Sequence, residues 1–328
     1  MISLRYHVVS TAAVFLALAI GVVLGSTALS GALLSGLADE KGDLARQVSD
    51  LGAERAALAG RLADVDGFAA ATGPMTVRGL LDQRTVVLVT TADARPADRD
   101  VLRGLVASAG ATVTGELRLT EAFGDPARAD QLRELVVRLL PAGLQLPTAS
   151  DPGTLAGGLL GQLMLLRKSD NQPQTSQNEA TAALAGLVDG GFVRPVGDFR
   201  PGQLAMMVTG GGAAAAGAGV ADLAAARTPH GVGDRAALVG RFAAQVDRAG
   251  AGAVLAGRAG SADGTGPIGV IRADPTAGSI LSTVDNVDTA VGRVATIMAL
   301  RQQLDGAAGH YGTAGNAQDV SPGGGSGG

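Results

Sequence analysis

Cysteine is absent from all 328 residues, and so is tryptophan. Without cysteine there is no disulfide framework, no thiolate metal site and no cysteine nucleophile. Three histidines complete a poor supply of soft-metal ligands. Aromatic residues make up only 2%, too few for the aromatic girdles of an outer-membrane barrel. Lysine occurs twice, at Lys41 and Lys168, against 24 arginines. No stretch is dense in Lys or Arg and the net charge is −4, which argues against nucleic acid as the main partner. What is abundant is apolar: 46% hydrophobic residues, 50 glycines and a mean hydropathy of +0.26.

Part of that hydropathy sits at the N-terminus. Residues 6–38 contain no Asp, Glu, Lys or Arg. The apolar run 8–29 makes about 33 Å of helix at ~1.5 Å per residue, enough to cross a bilayer. Arg5, His7 and the α-amino group precede it, and Asp39 and Glu40 are the first charges after it. That asymmetry favours a cytoplasmic N-terminus with about 290 residues exported. The competing reading is a cleaved signal peptide, with Ser26-Thr-Ala28 or Ser30-Gly-Ala32 as the small-residue site. The next most apolar segment, 154–166, is too short to span. Gly21 and Gly25 form a GxxxG pair inside the run, a spacing that lets two helices approach closely in lipid.

A heptad pattern follows. Leu37, Leu44, Leu51, Leu58 and Val65 recur every seven residues, and Leu34, Lys41, Val48, Arg55 and Leu62 fill the companion positions. Taking the first set as d and the second as a, this is a coiled-coil seam over about four heptads. Lys41 and Arg55 weaken the seam but favour a low oligomer number and a fixed register. Seven acids and four bases flank it between Asp39 and Asp66. Gly36, Gly42, Gly52 and Gly60 each cost about 1 kcal/mol of helix propensity relative to Ala, which pairing has to offset. The partner is either a second copy or a different protein. The alternative is a lone amphipathic helix lying on the exported domain.

The helical pattern breaks over 67–74. Beyond it, residues 85–91 (TVVLVTT), 111–119, 204–209, 253–256, 268–272 and 280–284 read as strands. Residues 96–109, 128–140, 155–166, 179–188 and 235–248 read as helices, and Asp288 is expected to cap a last helix to about Leu304. Strands alternating with helices imply a mostly parallel sheet with helices on its faces. The fold class is therefore α/β: an N-terminal transmembrane helix and a coiled-coil helix, then a mostly parallel α/β sandwich domain. The expected organisation is leader and span over 1–30, stalk over 31–73, exported domain over 74–305, and a disordered Gly-rich tail over 306–328.

Chemistry-bearing motifs are thin. Gly210-Gly-Gly212-Ala-Ala-Ala215 fits the G-x-G-x-x-A pattern after a strand, but a low-complexity run follows and Asp222 comes too early for a dinucleotide fingerprint. Gly231-Val-Gly233-Asp-Arg-Ala236 lacks a preceding strand. Gly324-Gly-Ser326-Gly-Gly328 has the letters of a nucleophile elbow without its strand–turn–helix setting. Asp285, Asn286 and Asp288 cluster after a strand, where open α/β sheets bind ligands, and read more simply as turn and cap chemistry. Met206 and Met207 are adjacent on a strand and face opposite ways. His7, His230 and His310 are scattered. No nucleophile–base arrangement is visible, so no catalytic or cofactor-binding residue is assigned, the chain is expected not to be an enzyme, and the metal ligands stay unknown.

Two regions carry a family resemblance. Arg5-Tyr-His-Val-Val-Ser10 with Phe15-Leu-Ala-Leu-Ala-Ile-Gly-Val-Val-Leu-Gly25, and Ser282-Thr-Val-Asp-Asn-Val-Asp-Thr289 with Val294-Ala-Thr296 and His310-Tyr-Gly312, resemble the two ends of the actinobacterial MctB family over about 1–312. The resemblance implies a role in copper efflux or homeostasis, with copper as a transported ion rather than a cofactor, and an outer-membrane location. The similar SteB protein implies another role: a single-pass coiled-coil adaptor that pairs with a SteA-like membrane protein and regulates peptidoglycan hydrolysis at division. The resemblance brings no ligand set to transfer.

Overall fold

The computed structural model describes residues 4–211 and 232–323, for 4, 5, 25–39 and 232–234 the backbone alone. It falls into two compact units, Met1–Val65 and Asp66–Gly328.

Helix α1, Leu4–Thr76, carries the described part of the first unit and the opening turns of the second. Its first part, Tyr6–Leu24, is 19 residues with mean hydropathy 2.3. The expected break over 67–74 does not occur. Pro74 lies inside the helix two residues before its end and leaves the Ala70 carbonyl without its i→i−4 donor. Gly73 is there for packing: a Cβ would lie 2.8 Å from Val294 Cγ2.

The second unit is built on a seven-stranded sheet of order β3-β2-β1-β4-β5-β6-β7. The strands are β1 Thr85–Thr90, β2 Thr112–Leu119, β3 Val193–Pro195, β4 Leu204–Thr209, β5 Ala253–Gly257, β6 Ser282–Val284 and β7 His310–Tyr311. Neighbours are parallel except β3, which runs antiparallel to β2 at one edge. The central strands are continuous β-branched and aliphatic runs, as burial on both faces requires. Alternation splits them cleanly. Val87, Val89, Met207 and Leu255 enter one core with helices α3 (Ala129–Arg138), α4 (Pro152–Met164), α5 (Gln177–Asp189) and α6 (Val232–Ala249). Val86, Leu88, Met206 and Val254 enter the other with α2 (Pro96–Ser108) and α9 (Ala290–Leu304). Met206 and Met207 thus do face opposite ways.

Helix α4 is almost wholly apolar, and its glycines set how closely it lies on α6. A Cβ at Gly153 would sit 2.5 Å from Leu238 O, and one at Gly157 2.6 Å from Phe242 O. The spacing of four keeps both on one face, so backbone meets backbone.

Three further expectations are corrected. Residues 268–272 are helix α7, Pro267–Ala273, and not a strand. Pro267 opens that helix, and Ile268 and Ile271 turn inward together, a spacing of three that a strand cannot place on one face. A one-turn helix α8, Pro275–Gly278, follows with Asp274 as its cap. The cap of α9 is Thr289, whose Oγ1 accepts from Gly292 N, and not Asp288. The expected disordered tail contributes strand β7 and a loop that returns to it, with Gln318 N donating to His310 O.

Candidate functional site

The coiled-coil residues named from sequence lie on α1. Leu34 and Leu37 are among those whose side chains are left aside. Leu44, Val48, Leu51, Leu58, Leu62 and Val65 are 50–70% exposed along one stripe, and Arg55 is exposed within it. Single exposed apolar residues are ordinary, but six in heptad register form a surface that water disfavours. Gly21 has open space around its Cα; Gly25 lies outside the described side chains. Their neighbours Val22 and Val23 are exposed as well.

The carboxyl edge of the sheet is the other place to look. Strand order reverses between β1 and β4, the position where open parallel sheets form ligand crevices. Several of the charges described at that edge pair with one another. Buried Asp98, in the first turn of α2, accepts from Arg258 Nη1 at 2.5 Å and Arg293 Nη2 at 3.0 Å. Arg293 Nε also donates to Val287 O at 2.9 Å. Asp288 accepts from Ala259 N at 3.3 Å. One carboxylate thus ties α2, the segment after β5 and the first turn of α9 together. Asn286 is buried with its Oδ1 unpartnered among the described residues, pressed so close to α9 that a Cβ at Gly292 would lie 2.5 Å away.

Asp285 takes a different part from its neighbours. It and Arg272 are each 3% exposed and pair at 2.7 Å. Asp285 also accepts from Thr313 N at 2.8 Å and Ala314 N at 3.2 Å. Arg272 reaches Thr283 Oγ1, Tyr311 O and Asn316 Oδ1. His310 Nδ1 lies 3.0 Å from Thr283 Oγ1. Burial, then the charge of Arg272, holds the His310 imidazole below its ordinary value, so it stands neutral beside the cation. Burial lowers the Arg272 guanidinium from its ordinary value, and the hydrogen bond and charge of Asp285 oppose that. The Asp285–Asn286–Asp288 cluster is therefore three separate fixtures. Among the described residues no three or more His, Asp or Glu side chains come together as a metal cluster.

The first and last of the C-terminal motifs meet in this network. Ser282 Oγ accepts from Gln303 Nε2 and Gly309 N. Ala290 N, at the start of α9, donates to Asp66 Oδ1 at 2.5 Å. Ser282 thus joins β6 to α9 and to the segment before β7, and Ala290, between two of the motifs, joins α9 to α1. Sequence reasoning missed Arg272, Asp98, Arg258 and Arg293; no local pattern marks them. The Gly-rich G-x-G-x-x-A match lies outside the described residues from Gly212 onward, as do Gly231, His230 and 324–328.

Comparison with known proteins gives a consistent result. A family model described as "Copper transport outer membrane protein, MctB" matches residues 1–322. A protein of Mycobacterium tuberculosis named copper transporter MctB is 39% identical over 326 residues, covering 98% of this chain and 99% of the relative. A protein of Mycobacterium bovis with that name matches equally. One from Mycobacterium leprae is 37% identical over 329 residues, with the same coverage.

Proposed function

The chain belongs to the MctB family, and from that premise we propose that it works in copper efflux or homeostasis as a single-pass envelope protein. The N-terminus is cytoplasmic and the α/β domain lies outside the membrane. The full-length match to relatives named copper transporters carries this reading. One span of 19 residues supports the anchor, and Arg5 before it with Asp39 and Glu40 after it supports the orientation. A single helix encloses no pore, because only closed barrels or helix bundles satisfy backbone groups around a membrane passage. Copper movement therefore requires assembly, and the chain's part is to organise it rather than to conduct alone. No chemical step is assigned to its residues. A strain lacking the gene should become copper-sensitive, and return of the gene should restore tolerance; unchanged tolerance would reject the copper role.

One observation favours a second reading. The exposed seam on α1 suits an adaptor that grips a membrane partner, as in the SteB-like role in peptidoglycan hydrolysis at division. Replacing Leu44 and Leu51 together by Asp puts two charges into the seam. Capture of membrane partners by the full-length chain should then fall at least tenfold, since each buried unpaired charge costs several kcal/mol. Undiminished capture would remove the seam from either role.

A further inference from the structure

The charges beside the seam identify what covers it. In the described part of the stalk the one ion pair is Arg46 with Asp43. Both residues lie on the outward side of the helix, at f and c positions. Glu40, Lys41, Glu54 and Arg55 are exposed and belong to no ion pair among the described residues. Their own helix offers them none. Partners on a helix surface stand three or four residues away. Lys41 has Leu37, Ala38, Leu44 and Ala45 there, and Arg55 has Leu51, Gly52, Leu58 and Ala59. Glu40 and Glu54 have no Lys or Arg at those distances, and each has an acid instead, Asp43 and Asp50.

The two cations occupy a positions, and each glutamate occupies the g position immediately before. In a parallel pair of helices, an a side chain enters a hole on the facing helix whose walls include the facing a and the g residue just before it. A second copy in register would therefore place its Glu40 beside Lys41 and its Glu54 beside Arg55, and receive the same in return. The long aliphatic stems of Lys41 and Arg55 would cover the apolar seam while their charged ends reach outward to those carboxylates. The remaining g-to-e′ contacts bring no like charges together: Glu40 faces Ala45, Gln47 faces Gly52, Glu54 faces Ala59, and Arg61 faces Asp66. Direction and register follow from the same helix. Its apolar span, Tyr6–Leu24, runs on into the heptads without interruption, so two copies in one membrane start at one depth and point one way.

We infer that the seam is covered by a second copy of this chain, parallel and in register, with Lys41 and Arg55 neutralised across the interface by the partner copy's glutamates at 40 and 54. The inference rests on the reading that the seam is an assembly surface, and it selects the occupant.

The absence of cysteine makes the test direct. Full-length chains carrying one substitution, Leu44→Cys, Leu51→Cys or the outward Ala53→Cys, are expressed and their membranes oxidised with iodine. A disulfide needs Cβ atoms about 3.5–4.5 Å apart. Leu44→Cys and Leu51→Cys should give disulfide dimers at roughly tenfold the yield of Ala53→Cys. Differently tagged Leu44→Cys and Leu51→Cys chains, expressed together, should give no mixed dimer above the Ala53→Cys level, because one heptad separates them by about 10.5 Å. Adding Glu54→Arg should lower the Leu51→Cys dimer several-fold, and adding Arg55→Glu to that chain should restore it. Mixed 44–51 dimers, or equal crosslinking at Ala53→Cys, would overturn the register. No dimer at 44 or 51, with seam-dependent capture of another protein intact, would overturn self-pairing while leaving the assembly reading in place. Loss of neither would discard both.

Discussion

Arg272→Ala is expected to destabilise the α/β domain by about 3–5 kcal/mol, the usual cost of removing one member of a buried ion pair. The size follows from what stays behind. Asp285 would be left in a site 3% exposed, with two backbone N–H groups as its remaining donors. The carbonyl of Tyr311 and the hydroxyl of Thr283 would each lose a guanidinium donor. Those contacts hold β7 and its loop to β6, so the damage should begin there. Denaturant unfolding of the full-length protein should show the loss, and limited proteolysis should cut first between β7 and residue 319. A change below about 1 kcal/mol, the level of an exposed pair, would mean that the network is not buried in solution.

Asp247 gives the second large effect, with the opposite sign. Its carboxyl lies in α6, 8% exposed, and accepts from Ala253 N at 2.6 Å. Burial pushes it from 3.8 up to about 7, against the pull of that hydrogen bond, Arg248 and Lys168. An acid whose folded value is raised supports stability fully below its unfolded value, and that support is lost as pH rises through the folded one. The window is therefore pH 4 to 7, and the span is worth on the order of 4 kcal/mol. Asp247→Asn keeps an acceptor for Ala253 N and carries no charge. It should match the parent protein near pH 4 and exceed it by about 2–4 kcal/mol at pH 8. A difference that stays constant between those pH values would refute the cause.

These two residues also mark where the sequence stopped being readable. Residues 204–209 are legible because a buried parallel strand is a continuous apolar run bounded by glycine. The seam is legible because a heptad is a local signal. Residues 268–272 mislead because Ile-Gly-Val-Ile-Arg fits either period, and Pro267 decides for helix only once the chain packs. β7 escapes because two residues paired to a sheet edge leave no periodicity. The Arg272–Asp285 pair spans 13 positions and the Asp98–Arg293 pair 195. Only the strand order brings such residues together, and single-sequence patterns do not contain it. The family motifs were visible as letters, but their work in fixing α9, β6 and the end of α1 was not.

What joins the two units functionally is the proposal that a paired, membrane-anchored stalk serves copper handling. The most direct measurement is cellular copper, by mass spectrometry, in a deletion strain carrying an empty vector, the parent gene, or the gene with Leu44 and Leu51 both replaced by Asp. The account predicts copper accumulation with the empty vector, normal content with the parent gene, and accumulation again with the seam variant present at normal level in the membrane. Normal copper in the empty-vector strain would contradict the copper role, and full rescue by the seam variant would contradict the need for pairing.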